Sequence, residues 1–170
     1  MDISAFIRQV PDYPKPGILF YDITPLLASP EAFGGVIERM ADAARPLRPT
    51  MIMAPEARGF LLAAPLALRL GIGLAPVRKP GKLPRAVFSV SYDLEYGSNA
   101  LCLHKDALHK EDRVLIVDDV LATGGTIGAM LELVRQSGAT VAGCCMLMEL
   151  DALNGRRVLD GVPLSVLLHV

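Results

Sequence analysis

Val114-Leu-Ile-Val-Asp118-Asp119-Val-Leu-Ala122-Thr123-Gly124-Gly125-Thr126 is the stretch on which the fold of this chain turns. Residues 114–117 are four branched apolar residues in a row, the pattern of a strand buried on both faces in a parallel sheet. In an open parallel sheet, ligands bind beyond the carboxyl ends of the strands, where Asp118 and Asp119 are expected. Two neighbouring carboxylates repel unless cations or hydroxyl donors face them. A sugar diol, or a hydrated metal on a polyphosphate, satisfies both. Ala122, Thr123, Gly124, Gly125 and Thr126 then open a helix. The two glycines let the backbone curl so that several N–H groups converge, and the two threonine hydroxyls add donors. With the roughly half positive charge of a helix N-terminus, this is an anion pocket suited to a phosphate monoester. An acidic turn plus a capped helix start would account for any one feature. Strand, double acid, T-G-G-T and helix together point to a site.

Outward from this stretch, strand-like and helix-like segments alternate. Ser29-Pro30-Glu31 is a helix start, with a capping side chain and proline at the first helical position. Phe33, Val36, Ile37, Met40 and Ala44 then share one face, and Pro46 and Pro49 stop the helix. Residues 50–54 read as a buried strand, 59–70 as a helix and 73–77 as a strand. Pro65 is expected to kink that helix or restrict it to its later half. Ile127, Met130, Leu131 and Val134 form one face of a helix that stops at Gly138, and strands follow over 141–147 and 164–168. The pattern predicts an α/β fold, a central, mainly parallel sheet flanked by helices. Residues 78–96 fit it poorly. Their first half reads as a mobile loop, and only Phe88-Ser-Val-Ser-Tyr92 alternates like a strand.

Composition narrows the function classes. With 170 residues, the chain suits one domain and should bury roughly 70% of its extended-chain surface. Hydrophobic residues at 52% exclude a disordered chain, and 17 basic against 18 acidic residues argue against a general nucleic-acid surface. No apolar run approaches the ~18–20 residues of a membrane span, and residues 1–4 lack signal-peptide character, so the expected location is cytoplasmic. Cys102, Cys144 and Cys145 are too few and wrongly spaced for a disulfide or zinc framework. His104, His109 and His169 have no metal-ligand spacing. No G-x-x-x-x-G-K-[ST] occurs, and Gly71-Ile-Gly73 follows a helix and lacks the third glycine of a dinucleotide fingerprint. Between Glu56 and Asp93 there is no acidic residue, but there are six basic ones: Arg58, Arg69, Arg78, Lys79, Lys82 and Arg85. Positive charge is therefore concentrated where an anionic substrate would need it, with Arg69, on the helix, the expected bystander.

Residues 114–126 resemble the phosphoribosyl-diphosphate motif of the type I phosphoribosyltransferases. Residues 11–25 (PDYPKPGILFYDITP), 57–60 (ARGF), 77–84 (VRKPGKLP) and 94–97 (LEYG) are similar to the adenine-using members of that family, in order and at the expected spacing. The match covers nearly the whole chain. It implies one phosphoribosyltransferase domain over 1–170, with a base-recognition hood at 1–28, a core at 29–170 and a flexible loop at 78–92. The implied reaction joins adenine to 5-phosphoribosyl 1-diphosphate, giving AMP and diphosphate. Adenine N9 attacks C1 of the ribose as diphosphate leaves from the opposite face.

The resemblance also implies roles. Asp118 and Asp119 hold the ribose diol, with Mg²⁺ as cofactor held mainly through substrate and water rather than by direct protein ligands. Ala122, Thr123, Gly124, Gly125 and Thr126 hold the phosphate. Arg58 lies in the diphosphate loop, and the preceding Glu56–Ala57 peptide is expected to be cis. Arg78, Lys79 and Lys82 belong to or flank the covering loop, with Arg58 and Lys82 acting on the leaving group. Glu95 handles the purine proton, and Tyr96 beside it belongs to the substrate-binding set. Backbone groups of Leu19 and Tyr21 read the adenine edge, and Phe20 offers a stacking face. A homodimer is expected, with no nucleic-acid or membrane partner. The chain departs from the family pattern at Tyr21, where arginine is usual, at Leu62-Ala63 in place of Phe-Gly, and at Arg85, where glycine often follows Lys-Leu-Pro. Two alternatives stay open: a transferase for another nucleobase, and a non-catalytic regulator that senses phosphoribosyl diphosphate.

Overall fold

The computed structural model describes residues 2–93 and 98–170. In chain order, β1 (Arg8–Pro11) and β2 (Leu19–Asp22) form an antiparallel hairpin, the hood, which is followed by α1 (Thr24–Ala28) and α2 (Pro30–Ala44). Then come β3 (Met51–Pro55), α3 (Arg58–Leu70) and β4 (Gly73–Val77). A second antiparallel hairpin, β5 (Val87–Asp93) with β6 (Ser98–His104), precedes β7 (Arg113–Leu121), α4 (Gly125–Ser137), β8 (Thr140–Glu149) and β9 (Leu164–His169).

The central sheet is five-stranded and parallel throughout, in the order β4-β3-β7-β8-β9. From β3 the chain first moves outward to β4, then returns to β7 on the other side. The direction of growth therefore reverses between β3 and β7, the crevice where ligands bind in open α/β sheets. Period-two alternation sorts the strands' side chains onto two covered faces. Ile52, Leu115, Val117 and Leu147 pack with Met40, Leu62 and Leu66 on the α2/α3 side. Met53, Ile116, Cys144 and Met146 pack with Met130, Leu133 and Leu103 on the α4/hairpin side. Cys144 and Cys145 are buried among these residues, and burial pushes both thiols up to about 12. They act as small hydrophobes.

The helix start at 29–31 is as expected: Ser29 Oγ accepts from the Ala32 N–H at 3.3 Å. Three expectations need correction. Pro65 does not confine α3 to its later half; the helix is continuous from Arg58 to Leu70. Pro65 lies near the exposed Leu61 and Leu68 face, where the Leu61 carbonyl that loses its helical donor can turn to water. Next, β7 does not end at residue 117. Its last pairing with β3 is Met53↔Ile116, but pairing with β8 carries it on to Leu121↔Glu149. Finally, the whole of 78–92 is not loop. Val87–Asp93 pairs residue for residue with Ser98–His104, and Arg78 forms an antiparallel bridge with Cys102, so the irregular stretch is 79–86.

Candidate active site

The turn 121–124 leads from β7 into α4, whose N-cap Gly124 has φ +93°, a backbone state that glycine adopts without strain. No side chain caps this helix, and the first intrahelical bond runs from the Gly128 N–H to the Gly124 carbonyl at 2.8 Å. The N–H groups of residues 124–127 are thus left for a ligand. They border a recess of ≈ 60 Å³ lined by Asp118 and by residues 120–127. The back of the turn is packed solid. A Cβ on Gly155 would meet the Ala122 carbonyl oxygen at 2.2 Å, and one on Gly124 would meet the Gly155 carbonyl oxygen at 2.7 Å. One side of the turn is fixed against protein; the other is open.

Asp118 and Asp119 lie within β7, past its pairing with β3, on the free flank of the strand rather than beyond its end. Although neighbours on a strand alternate, both carboxylates border the same crevice. The Asp119 N–H donates to Asp118 Oδ1 at 2.8 Å, and a Cβ on Gly59 would stand 3.0 Å from that same oxygen. The absence of a side chain at Gly59 therefore lets the start of α3 close on the carboxylate. Burial, followed by the charge of Asp119, holds the Asp118 carboxyl well above the usual carboxylate range. Asp119 is 4% exposed, and Arg58 Nε lies 2.8 Å from its Oδ2, a charge contact without an aligned hydrogen bond. The Arg58 guanidinium also sits 5.0 Å over the Phe20 ring. One cation therefore touches both the double acid and the hood. The peptide Glu56–Ala57 just before it is cis, as expected.

The remaining basic residues divide. Glu56 Oε1 accepts from Arg78 Nε at 3.2 Å and from the Lys79 N–H at 2.8 Å, which holds the Glu56 carboxyl below its ordinary value. Lys79 lines a recess of ≈ 170 Å³ with Arg58, Tyr92, Asp118, Asp119 and Thr126. Lys82 is exposed in the irregular stretch, on none of the recess walls described for the crevice. Arg85 pairs with Asp106 at the base of the second hairpin, and Arg69 pairs with Glu38 at 2.6 Å, outside the crevice. Glu95 and Tyr96 lie outside the described residues.

The hood closes the third side. Leu19, Phe20 and Tyr21 line a recess of ≈ 310 Å³ together with Arg58, Asp118, Asp119, Ala122 and Thr126. The Tyr13 N–H donates to the Ile18 carbonyl at 3.2 Å, so residues 18 and 20 turn their backbone groups toward β1. By strand alternation, the Leu19 C=O and the Tyr21 N–H face the other edge. The Tyr21 ring packs against the core, so the residue standing in place of the usual arginine brings no charge to the recess. Leu62 and Ala63 are fully buried.

The sequence profile of the phosphoribosyl transferase domain matches residues 23–168. An adenine phosphoribosyltransferase of Carboxydothermus hydrogenoformans is 55% identical over 161 residues, 95% of each chain. One from Solidesulfovibrio magneticus is 49% identical over 170 residues, covering 100% of this chain and 99% of that one. The crystal structure of the Thermoanaerobacter pseudethanolicus adenine phosphoribosyltransferase superposes with a TM-score of 0.96 at 51% identity, covering 99% of this chain and 98% of that one. The chain belongs to the adenine phosphoribosyltransferases. It is a pentosyltransferase of type I phosphoribosyltransferase fold.

For a member of this family, several residues in or behind the site carry little local signal. Glu56 organises the Arg78–Lys79 corner, and Leu150 lines the hood recess. Glu149, 1% exposed, takes a two-pronged contact from Arg156, which sits next to Gly155 behind the turn 121–124. Tyr92 was legible only as the inward end of the alternating run 88–92.

Proposed function

We propose that the phosphate turn, the double acid, Arg58 and the hood act on one substrate pair lying across the β3/β7 crevice. The reaction is transfer of the 5-phosphoribosyl group from its 1-diphosphate to adenine, giving AMP and diphosphate. The observation that carries this reading is the shared recess: Leu19, Phe20 and Tyr21 border the same space as Asp118, Asp119, Ala122 and Thr126. Base and sugar sites of one nucleotide must adjoin in this way.

The residues then take these parts. Backbone N–H groups of Gly124, Gly125 and Thr126, with the Thr123 and Thr126 hydroxyls, hold the 5-phosphate, and Ala122 lines its path. Asp118 and Asp119 receive the ribose hydroxyls. Arg58 and Lys79 face the leaving diphosphate, with Lys82 and Arg78 contributed by the covering segment. The transition state carries positive charge on the ribose ring and negative charge on the departing diphosphate. Fixed charges and positioning, rather than a protein nucleophile, lower the barrier. The Leu19 carbonyl accepts from the adenine amino group while the Tyr21 N–H donates to N1. A 6-oxopurine presents the opposite polarity, at a cost of about 1–3 kcal/mol for each unpaired group. Phe20 stacks on the base. Glu95, followed by Tyr96, manages the proton of the five-membered ring.

Phosphoribosyltransferases of this kind generally use Mg²⁺ with the diphosphate substrate. The residues present fit it: two carboxylates of hard oxygen character, one with a buried Oδ2 that no aligned hydrogen bond reaches. Bound with substrate, Mg²⁺ supplies positive charge against the diphosphate and the ribose hydroxyls. Asp118 and Asp119 would hold it, mainly through water and the diol. No described helix is long and apolar enough to cross a membrane. A cytoplasmic homodimer completes the reading. The test is incubation with phosphoribosyl diphosphate, Mg²⁺ and each nucleobase separately. AMP from adenine is expected, and 6-oxopurines should be turned over at least tenfold less efficiently. Equal turnover of hypoxanthine would remove the backbone reading of base choice.

A further inference from the structure

Among the described residues, the second hairpin makes one polar side-chain contact with the phosphate turn. Tyr92 Oη lies 3.2 Å from Thr126 Oγ1, and the Tyr92 ring lies over Gly125, where an added Cβ would stand 3.0 Å from Cδ2. Phe88, Val90 and Tyr92 share the inward face of β5, so strand parity brings the phenol to the start of α4. Thr126 is common to all three recesses of the crevice. A threonine hydroxyl has a single proton and can donate to only one acceptor at a time. If Tyr92 accepts that proton, Thr126 has none for an anion. If Tyr92 donates, the Thr126 proton is free to point into the turn. An anion in the turn selects the second arrangement, in which the chain Tyr92 O–H to Thr126 O–H to phosphate oxygen is polarised in one direction.

We infer that Tyr92 is a positioning residue: its hydroxyl orients the Thr126 proton toward the 5-phosphate and ties the covering hairpin to an occupied phosphate turn. This rests on the reading of residues 122–126 as the phosphate cradle. Tyr92 also borders the recess of Arg58 and Lys79, so the ligand that reports its hydroxyl most cleanly is AMP, which carries the 5-phosphate without a diphosphate.

Steady-state kinetics of Tyr92→Phe, Thr126→Ala and the double variant test this in the full-length enzyme. Tyr92→Phe keeps the ring over Gly125. Its KM for phosphoribosyl diphosphate and the inhibition constant of AMP should both rise about 3–10-fold, the range of one hydrogen bond. The KM for adenine should stay within twofold of wild type, and the melting temperature within 1–2 °C. Thr126→Ala should weaken the same two ligands, and in that background Tyr92→Phe should add nothing. An undiminished Tyr92→Phe effect in the Thr126→Ala background would overturn the inference. So would a Tyr92→Phe enzyme that binds AMP normally while Thr126→Ala does not. If Thr126→Ala itself left both constants unchanged, the cradle reading would fail first, and the inference with it.

Discussion

The phosphate turn and the hairpin that faces it border the same crevice but are held in opposite ways. The turn is one continuous unit of strand, loop and helix, and its back is wedged against Gly155 with no room for a methyl group. The second hairpin is an isolated two-stranded sheet. Leu101 and Leu103 pack it into the α4 side of the core, and its polar attachments include the Arg78↔Cys102 bridge and Tyr92–Thr126 near its tip, while Arg85–Asp106 closes its base. A group that must present fixed N–H dipoles to a phosphate gains from being locked into close packing. A cover that must admit a substrate and release a product can keep its polar tethers weak and local, since its apolar face anchors it. Substitutions behind the turn should therefore be costly, and those at the hairpin's tethers cheap.

The largest effect is expected at Gly155. Gly155→Ala places a methyl group against the Ala122 carbonyl, and because backbone lies on both sides, the turn itself has to move. Overpacking of this kind costs about 1–3 kcal/mol of stability. Displacing the phosphate by about 1 Å should lower turnover with phosphoribosyl diphosphate by roughly 100-fold. Calorimetry together with initial rates at saturating adenine measures both. Wild-type rates in a folded Gly155→Ala protein would show that the turn is not wedged.

The next effect concerns the pair behind it. Glu149 is buried, and Arg156 holds its carboxyl below the ordinary value of 4.5, chiefly through the side-chain hydrogen bonds; burial and Asp151 work against this, and His169 assists it. A carboxylate depressed in the folded state contributes stability that is present above its unfolded pKa and is lost as pH falls through the folded value. Arg156→Ala leaves the buried charge short of its main partner, at a cost of about 1–3 kcal/mol near pH 7. That corresponds to a drop in Tm of roughly 3–9 °C for a chain of this size. The gap between variant and wild type should be constant from pH 6 to 8 and narrow below about pH 4.5, as Glu149 is protonated in both. A gap independent of pH through the acid range would mean that Arg156 acts by packing alone.

The same contrast explains what the sequence discloses. The buried strand 114–117, the glycine turn and the one-sided helix after it are legible because each is specified by adjacent residues with a clear period. Ser29-Pro30 marks its helix for the same reason. By contrast, β7 extends to Leu121 only because β8 lies beside it, and nothing within 118–121 announces that pairing. The strand Ser98–His104 is mixed in character and becomes a strand by pairing with β5. Alternation puts Phe88, Val90 and Tyr92 on one face, but only the tertiary structure shows that this face meets α4. Glu149 and Arg156 are seven residues apart in a segment without periodicity, so their contact leaves no pattern to find. The glycine turn and its helix could be read; the packing that holds them still could not.

The smallest effect is expected at the base of the hairpin. Arg85, where the family pattern often has glycine, pairs with Asp106, and both side chains are about 60% exposed. The Arg85 N–H also lies 3.4 Å from His104 Nε2, a weak contact at best. Exposed ion pairs contribute about 0–1 kcal/mol and are screened by salt, so Arg85→Ala should lower Tm by no more than about 3 °C. Because Arg85 lines none of the described crevice recesses, any functional effect has to come through the freedom of residues 79–86. Loosening one tether leaves Glu56 gripping Arg78 and Lys79 at the other end, so the KM for phosphoribosyl diphosphate should shift less than twofold. Repeating the assay in 0.5 M NaCl should erase the remaining difference between variant and wild type. A tenfold change that survives high salt would place Arg85 among the groups that touch the substrate, and the division between a wedged turn and a loosely tied cover would have to be redrawn.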